Sequence, residues 1–115
     1  MGLWRDSSGR LTFDLRGVTN AEYPAVCRSV ADALSLVTAG DIVIGPEQMF
    51  WDFRRGELVV GLDWDIWIDF MVVAKSEASE ALVRDIAAWL GSSRWAEAKH
   101  APKELLPAMS DNSPL

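Results

Sequence analysis

The stretch Gln48–Ala74, QMFWDFRRGELVVGLDWDIWIDFMVVA, decides the fold. Every second residue is apolar in three successive segments: Met49, Trp51 and Phe53, then Leu58, Val60 and Leu62, then Ile66, Ile68, Phe70 and Val72. That period predicts a three-strand antiparallel meander with one apolar face. A two-residue turn at Arg55-Gly56 is expected to join the first two strands, setting Phe53 opposite Leu58, Trp51 opposite Val60 and Met49 opposite Leu62. The other face is mixed: Phe50, Asp52 and Arg54, then Glu57, Val59 and Gly61, then Asp65, Trp67, Asp69 and Met71. Large aromatics interleaved with carboxylates are unusual on a solvated sheet face, where stability alone favours smaller or charged residues.

Working outward, Leu3-Trp4-Arg5 and Leu11–Leu15 flank the turn-forming Asp6-Ser7-Ser8-Gly9, which predicts a short N-terminal hairpin. Thr19 and Glu22 have capping-box spacing, and Tyr23, Val26, Cys27, Val30, Leu34 and Val37 recur at helical spacing, so a helix is expected from about Asn20 to Thr38 with Gly40 as its stop. Asp41–Ile44 is a strand or buried connection broken by Gly45-Pro46. After the meander, Ser76 caps a second helix whose stripe is Ala78, Leu82, Ile86 and Leu90, with Glu80 and Arg84 as an i,i+4 pair and Gly91 as its end. Two helices and an antiparallel sheet make an α+β fold, a two-layer sandwich in which hairpin and meander form the sheet and both helices pack on one face. The expected division is a single domain over residues 1–93 and a loosely packed, proline-broken extension over residues 94–115.

Composition narrows the function classes. With 115 residues, half of them hydrophobic, the chain is long enough to bury one core without metal or disulfide support. Its lone cysteine, Cys27, has no internal partner, which fits a reducing compartment such as the cytoplasm. The opening MGLWRDSSGR lacks the basic-then-apolar order of a signal peptide, and no run reaches the roughly 18 apolar residues of a membrane span, so no membrane partner is expected. A net charge of -6 and a pI near 4.6 speak against a nucleic-acid partner, which needs a basic patch, and allow steering towards a basic protein.

Catalytic signals are sparse. Asp63, Asp65 and Asp69 fall on one side of an extended strand, where their carboxylates diverge, and no glycine-bearing calcium loop accompanies them, so no metal is expected. The one histidine, His100, lies in the proline-broken segment, Cys27 sits in an apolar helix stripe, and the glycines match no phosphate-binding spacing. No cofactor is implied. The residues that stand out are Trp64, expected in the turn between strands, and Trp67, expected on the outer face, close to Asp63, Asp65 and Asp69. Tryptophan anchors interfaces, and surrounding carboxylates would select a basic partner.

The order hairpin, helix, meander, helix, with WDIWIDFMVVAKSEASEALVRDIAAWL joining last strand to last helix, resembles small cytoplasmic bacterial immunity proteins of polymorphic toxin systems, over roughly Trp51 to Leu90. The resemblance implies a non-catalytic protein that occludes a cognate toxin with an acidic surface. The expected function is therefore a non-enzymatic protein-binding domain, an immunity protein that blocks a basic toxin through Asp63, Trp64, Asp65, Trp67 and Asp69. Two alternatives stand beside it: a small-molecule-binding or enzymatic domain with a pocket between sheet and helices lined by Trp51, Phe53 and Tyr23, and a structural homo-oligomer, such as a homodimer, that pairs its open sheet face with its own copy.

Overall fold

The computed structural model describes residues 2–92. The extension expected over 94–115, with His100, lies outside them. The chain begins with strands β1 (Gly2–Arg5) and β2 (Leu11–Leu15), paired antiparallel. Their turn is closed by the Asp6 side chain, whose Oδ1 accepts the N–H groups of Ser8 and Arg10, both at 2.9 Å. Helix α1 (Tyr23–Leu34) follows, and the capping box forms in full: the Glu22 N–H donates to Thr19 Oγ1 and the Thr19 N–H to Glu22 Oε1. The helix is shorter than its periodicity predicts. Ser35 takes a left-handed conformation (φ 60°), the Ser35 and Leu36 N–H groups both close on the Ala31 carbonyl, and Val37–Thr38 leaves as strand β3. The stop is thus Ser35, not Gly40.

Strands β4 (Val43–Ile44), β5 (Gln48–Phe50), β6 (Asp52–Arg55), β7 (Leu58–Asp65) and β8 (Asp69–Ala74) complete one antiparallel sheet, and helix α2 (Glu80–Leu90) ends the described chain. The sheet runs β1-β2-β8-β7-β5-β4, with β6 also along β7 and β3 on the outside of β6. β5 and β6 are successive pieces of one extended run interrupted at Trp51, where the Leu62 N–H still donates to the Trp51 carbonyl at 2.9 Å.

The β6–β7 turn is Gly56-Glu57, and Arg55 pairs with Leu58, Phe53 with Val60. The expected turn at Arg55-Gly56 is displaced for a backbone reason. A two-residue hairpin turn requires positive φ at its first central residue, which Gly56 supplies (φ 62°) and Arg55 would adopt only under strain. The register therefore slides by two residues, and a slip of two keeps every side chain on its expected face. That face carries Met49, Trp51 and Phe53, Val60, Leu62 and Trp64, Phe70, Val72 and Ala74, and Leu11, Phe13 and Leu15.

Both helices cover it, giving the two-layer α+β sandwich. Tyr23, Val26, Cys27 and Val30 of α1 and Leu82, Val83, Ile86 and Leu90 of α2 join one core with the sheet residues. Tyr23 sets the depth of α1: its ring lies 6.1 Å from Phe70 and its hydroxyl donates to the Leu62 carbonyl. α2 is tied at its start by Glu80, which meets Arg5 of β1 through two hydrogen bonds of 2.7 and 3.1 Å, while the expected partner Arg84 attracts it through charge. The residue at the N-cap of α2 is Ser79, not the expected Ser76; in the turn before the helix the Ser79 N–H donates to Ser76 Oγ and the Ser76 N–H to Ser79 Oγ. The opposite sheet face, with Phe50, Asp52, Gly61, Asp63 and Met71, carries neither helix.

Candidate functional site

The expected site residues divide among three environments. Asp65 and Asp69 form the closing pair of the β7–β8 hairpin, so the strand expected from Ile66 to Val72 begins at Asp69, and Ile66-Trp67-Ile68 is the turn. The carboxylate of Asp65 dictates this. Its Oδ1 accepts the N–H groups of Trp67 (2.9 Å) and Ile68 (2.7 Å), which bends the chain back at once. Asp69 takes a positive φ (74°), a conformation Asp tolerates better than most residues, and its Oδ2 accepts the Gly17 N–H at 2.7 Å. Arg16 donates to the Trp67 carbonyl at 2.6 Å. The turn is braced from both sides, and Trp67 stands on it 78% exposed, with Ile66 at 51%. Ile66 was expected in the core and is instead displayed.

Trp64 is a correction. Expected in the turn, it lies within β7 on the helix-covered face, only 8% exposed, and its Nε1 donates to the Val18 carbonyl at 2.8 Å. It secures the connection between β2 and α1 and is closed to an approaching partner.

Asp63 is the second correction. It points to the open face but is 6% exposed, and its Oδ1 has no hydrogen-bond partner. Gly61, two residues earlier on the same face, leaves the space in which this carboxylate meets the Lys75 stem: a methyl group on Gly61 would stand 3.0 Å from Lys75 Cε and 3.1 Å from Asp63 Oδ1. The Lys75 ammonium is 3.8 Å from Asp52 Oδ1. Burial pushes the Asp63 carboxyl up to about 6 and Asp52 adds to the rise, while Lys75 and the Trp51 backbone N–H hold it down.

Around the turn, the Ile66 N–H donates to the Glu47 carbonyl at 3.0 Å, which brings the loop between β4 and β5 alongside. A cleft of about 220 Å³ opens there, lined by Val43, Pro46, Gln48 and Phe50 among others. Phe50 and Val43 are register partners, and both are exposed. A larger, mixed-charge groove of about 540 Å³ lies at the far end, between Arg5, Arg10, Lys75 and Glu77. Neither opens between sheet and helices, where Tyr23 and Phe53 are buried. No family model, curated protein or solved structure matches the chain. The site therefore rests on its own geometry.

The buried thiol and phenol are poorly placed for nucleophilic chemistry. Burial pushes the Cys27 thiol up to about 12, so it is protonated at neutral pH, and burial likewise raises Tyr23. Among the described residues no three His, Cys, Asp or Glu side chains converge as a metal site would require, and no helix is long and apolar enough to cross a membrane. What the arrangement does offer is a rigid aromatic projection beside an apolar cleft, next to a sheet face with a buried carboxylate. The contributions of Phe50 and Ile66 to this end were not singled out from the sequence; Phe50 was legible as an outward aromatic, whereas Ile66 was hidden by its parity.

Proposed function

We propose that the protein is a non-catalytic protein-binding domain that docks a basic protein on the end of the sheet carrying the β7–β8 turn, acting as an immunity protein that blocks a toxin. The observation that carries this reading is the exposure of Trp67 on a turn braced by Asp65, Asp69 and Arg16. A tryptophan left in water has no folding role, and a braced backbone removes the ordering cost that would otherwise weaken an anchor. Ile66, Val43 and Phe50 extend the contact, and Asp65 and Asp69, besides holding the turn, place negative charge beside the anchor for encounter with a basic surface. The partner reading is further supported by the overall acidity of the chain and by the resemblance of its element order, as read from the sequence, to immunity proteins.

The test uses the purified product of the neighbouring gene in the source genome and measures its binding to wild type and to Trp67→Ala. A hot-spot anchor predicts about thirtyfold weaker binding for the variant, mainly through faster dissociation. Equal affinity, with the variant still folded, removes this end of the sheet as the docking surface.

A further inference from the structure

The fold accounts for only part of the buried carboxylate of Asp63, which takes the Trp51 backbone N–H. It occupies a central strand of a face that neither α1 nor α2 covers, yet it is almost wholly removed from water, and one of its oxygens receives nothing. Buried acceptors are nearly always satisfied, and an exception of this kind marks a group retained for something it does. Two carboxylates, Asp52 and Asp63, meet here with a single cation, Lys75, which lies 3.8 Å from Asp52 and leaves Asp63 Oδ1 unpaired. The local balance is one negative charge too many. The space belongs to Gly61, since any side chain there would meet both Lys75 and Asp63 within about the closest distance real contacts allow. Phe50, 41% exposed, follows Met49 on the neighbouring strand, and because Met49 pairs with Trp64 it stands at the level of Asp63.

A short of charge, a missing donor and an aromatic wall describe a receptor for a basic side chain. Arginine fits better than lysine. Its guanidinium is less strongly hydrated, so it is cheaper to take from water, and its fixed fork of donors can serve Asp63 and Asp52 together while the stem lies on an aromatic ring. We propose that the space over Gly61 receives an arginine side chain of the partner, which displaces Lys75 and donates to Asp63 Oδ1 with Phe50 against its stem. This rests on the reading of the protein as a binder of basic proteins and adds to it the one residue type the partner must present. In the free protein the Lys75 stem covers the carboxylate and acts as the resident occupant.

The probe is N-acetyl-arginine amide, titrated into the full chain and followed by NMR at Gly61, Asp63 and Lys75, with N-acetyl-citrulline amide as the uncharged isostere. Saturable shifts at these residues are expected, with roughly millimolar affinity for so small a ligand, and none with the citrulline compound. Asp63→Asn, which keeps the shape and removes the charge, should weaken binding about tenfold or more. Lys75→Met, which removes the competitor, should tighten it several-fold. Shifts in Lys75→Met that match those of the citrulline control, or Asp63→Asn binding as well as wild type, would overturn the proposal. Trp67→Ala should leave this titration unchanged. If the titration fails while Trp67→Ala loses the partner, the receptor is wrong and the docking surface right. The reverse pair of results keeps the receptor and removes the surface.

Discussion

The indole of Trp64 donates to the carbonyl of Val18 at 2.8 Å, so a residue in the longest strand fixes the peptide that leads into the first helix. The bond is buried, which makes it asymmetric in its consequences. Replacing Trp64 by Phe keeps most of the apolar contact but leaves the Val18 carbonyl without its donor, and should cost about 1–3 kcal/mol in a denaturant melt. Partner binding should be unaltered. A Trp64→Phe variant with wild-type stability would mean that water or a neighbour satisfies the carbonyl equally well.

Phe70 and Trp67 are three residues apart and should behave as opposites. Phe70 is fully buried against Tyr23, so Phe70→Ala opens a cavity and should cost about 3–5 kcal/mol. Trp67→Ala removes an exposed ring from a turn held by other groups and should change stability by no more than about 0.5 kcal/mol. Comparable denaturation midpoints for the two variants would contradict the placement of the β7–β8 turn.

Asp69 combines a strained backbone with a useful side chain. At φ 74° a residue with a Cβ pays a conformational penalty that glycine escapes, while the carboxylate recovers part of it through the Gly17 N–H. Asp69→Ala loses the bond and keeps the strain; Asp69→Gly loses the bond and the strain. The glycine variant should therefore be more stable than the alanine variant by about 1 kcal/mol, a difference readable as a shift in melting temperature. An alanine variant at least as stable as the glycine one would argue that the turn relaxes to another conformation.

Asp63 should give the protein an unusual pH signature. Its carboxyl is raised from 3.8 to about 6 in the folded chain by burial, with Asp52 adding to the shift and Lys75 and the Trp51 N–H opposing it. A raised acid means that the folded state holds a proton the unfolded state has released, so stability from this group falls as pH rises from about 4 to about 6 and stays lower above. The full difference is roughly 3 kcal/mol, from about two pH units at 1.36 kcal/mol each. Asp63→Asn cannot titrate. Its stability relative to wild type should therefore climb between pH 4 and 6 and level off beyond, a comparison that cancels the other carboxylates. A constant difference across that range would place the Asp63 carboxyl at its ordinary value.

Much of the architecture was readable because parity survives errors of register. The meander, the N-terminal hairpin, both helices and the division of side chains between faces follow from period and capping chemistry, and the two-residue slip at Gly56 moved none of them across the sheet. What the sequence hid were choices made by single side chains. Asp65 turns the chain at Ile66 through its own oxygen, which exposes Ile66 and leaves Trp64 inside a strand, although Trp64 shares the parity of Val60 and Leu62 and could have been assigned to the core on that ground. Ser35 ends α1 in a conformation usually left to glycine. The burial of Asp63 depends on Gly61 and Lys75, which no local pattern links to it. Of the five expected contact residues, only Trp67 presents a largely free side chain, for the same reasons.

The interruption at Trp51 also governs how the sheet ends on that side. Because β5 and β6 each take a different outer strand, the rim consists of two separate pieces, β3 and β4, of two residues each. Val37, Val43 and Ile44 make that rim apolar, and a long straight rim of such residues would template the addition of further chains. Broken into two short steps with Gly40-Asp41-Ile42 between them, it offers a stray strand few consecutive backbone groups to hold on to.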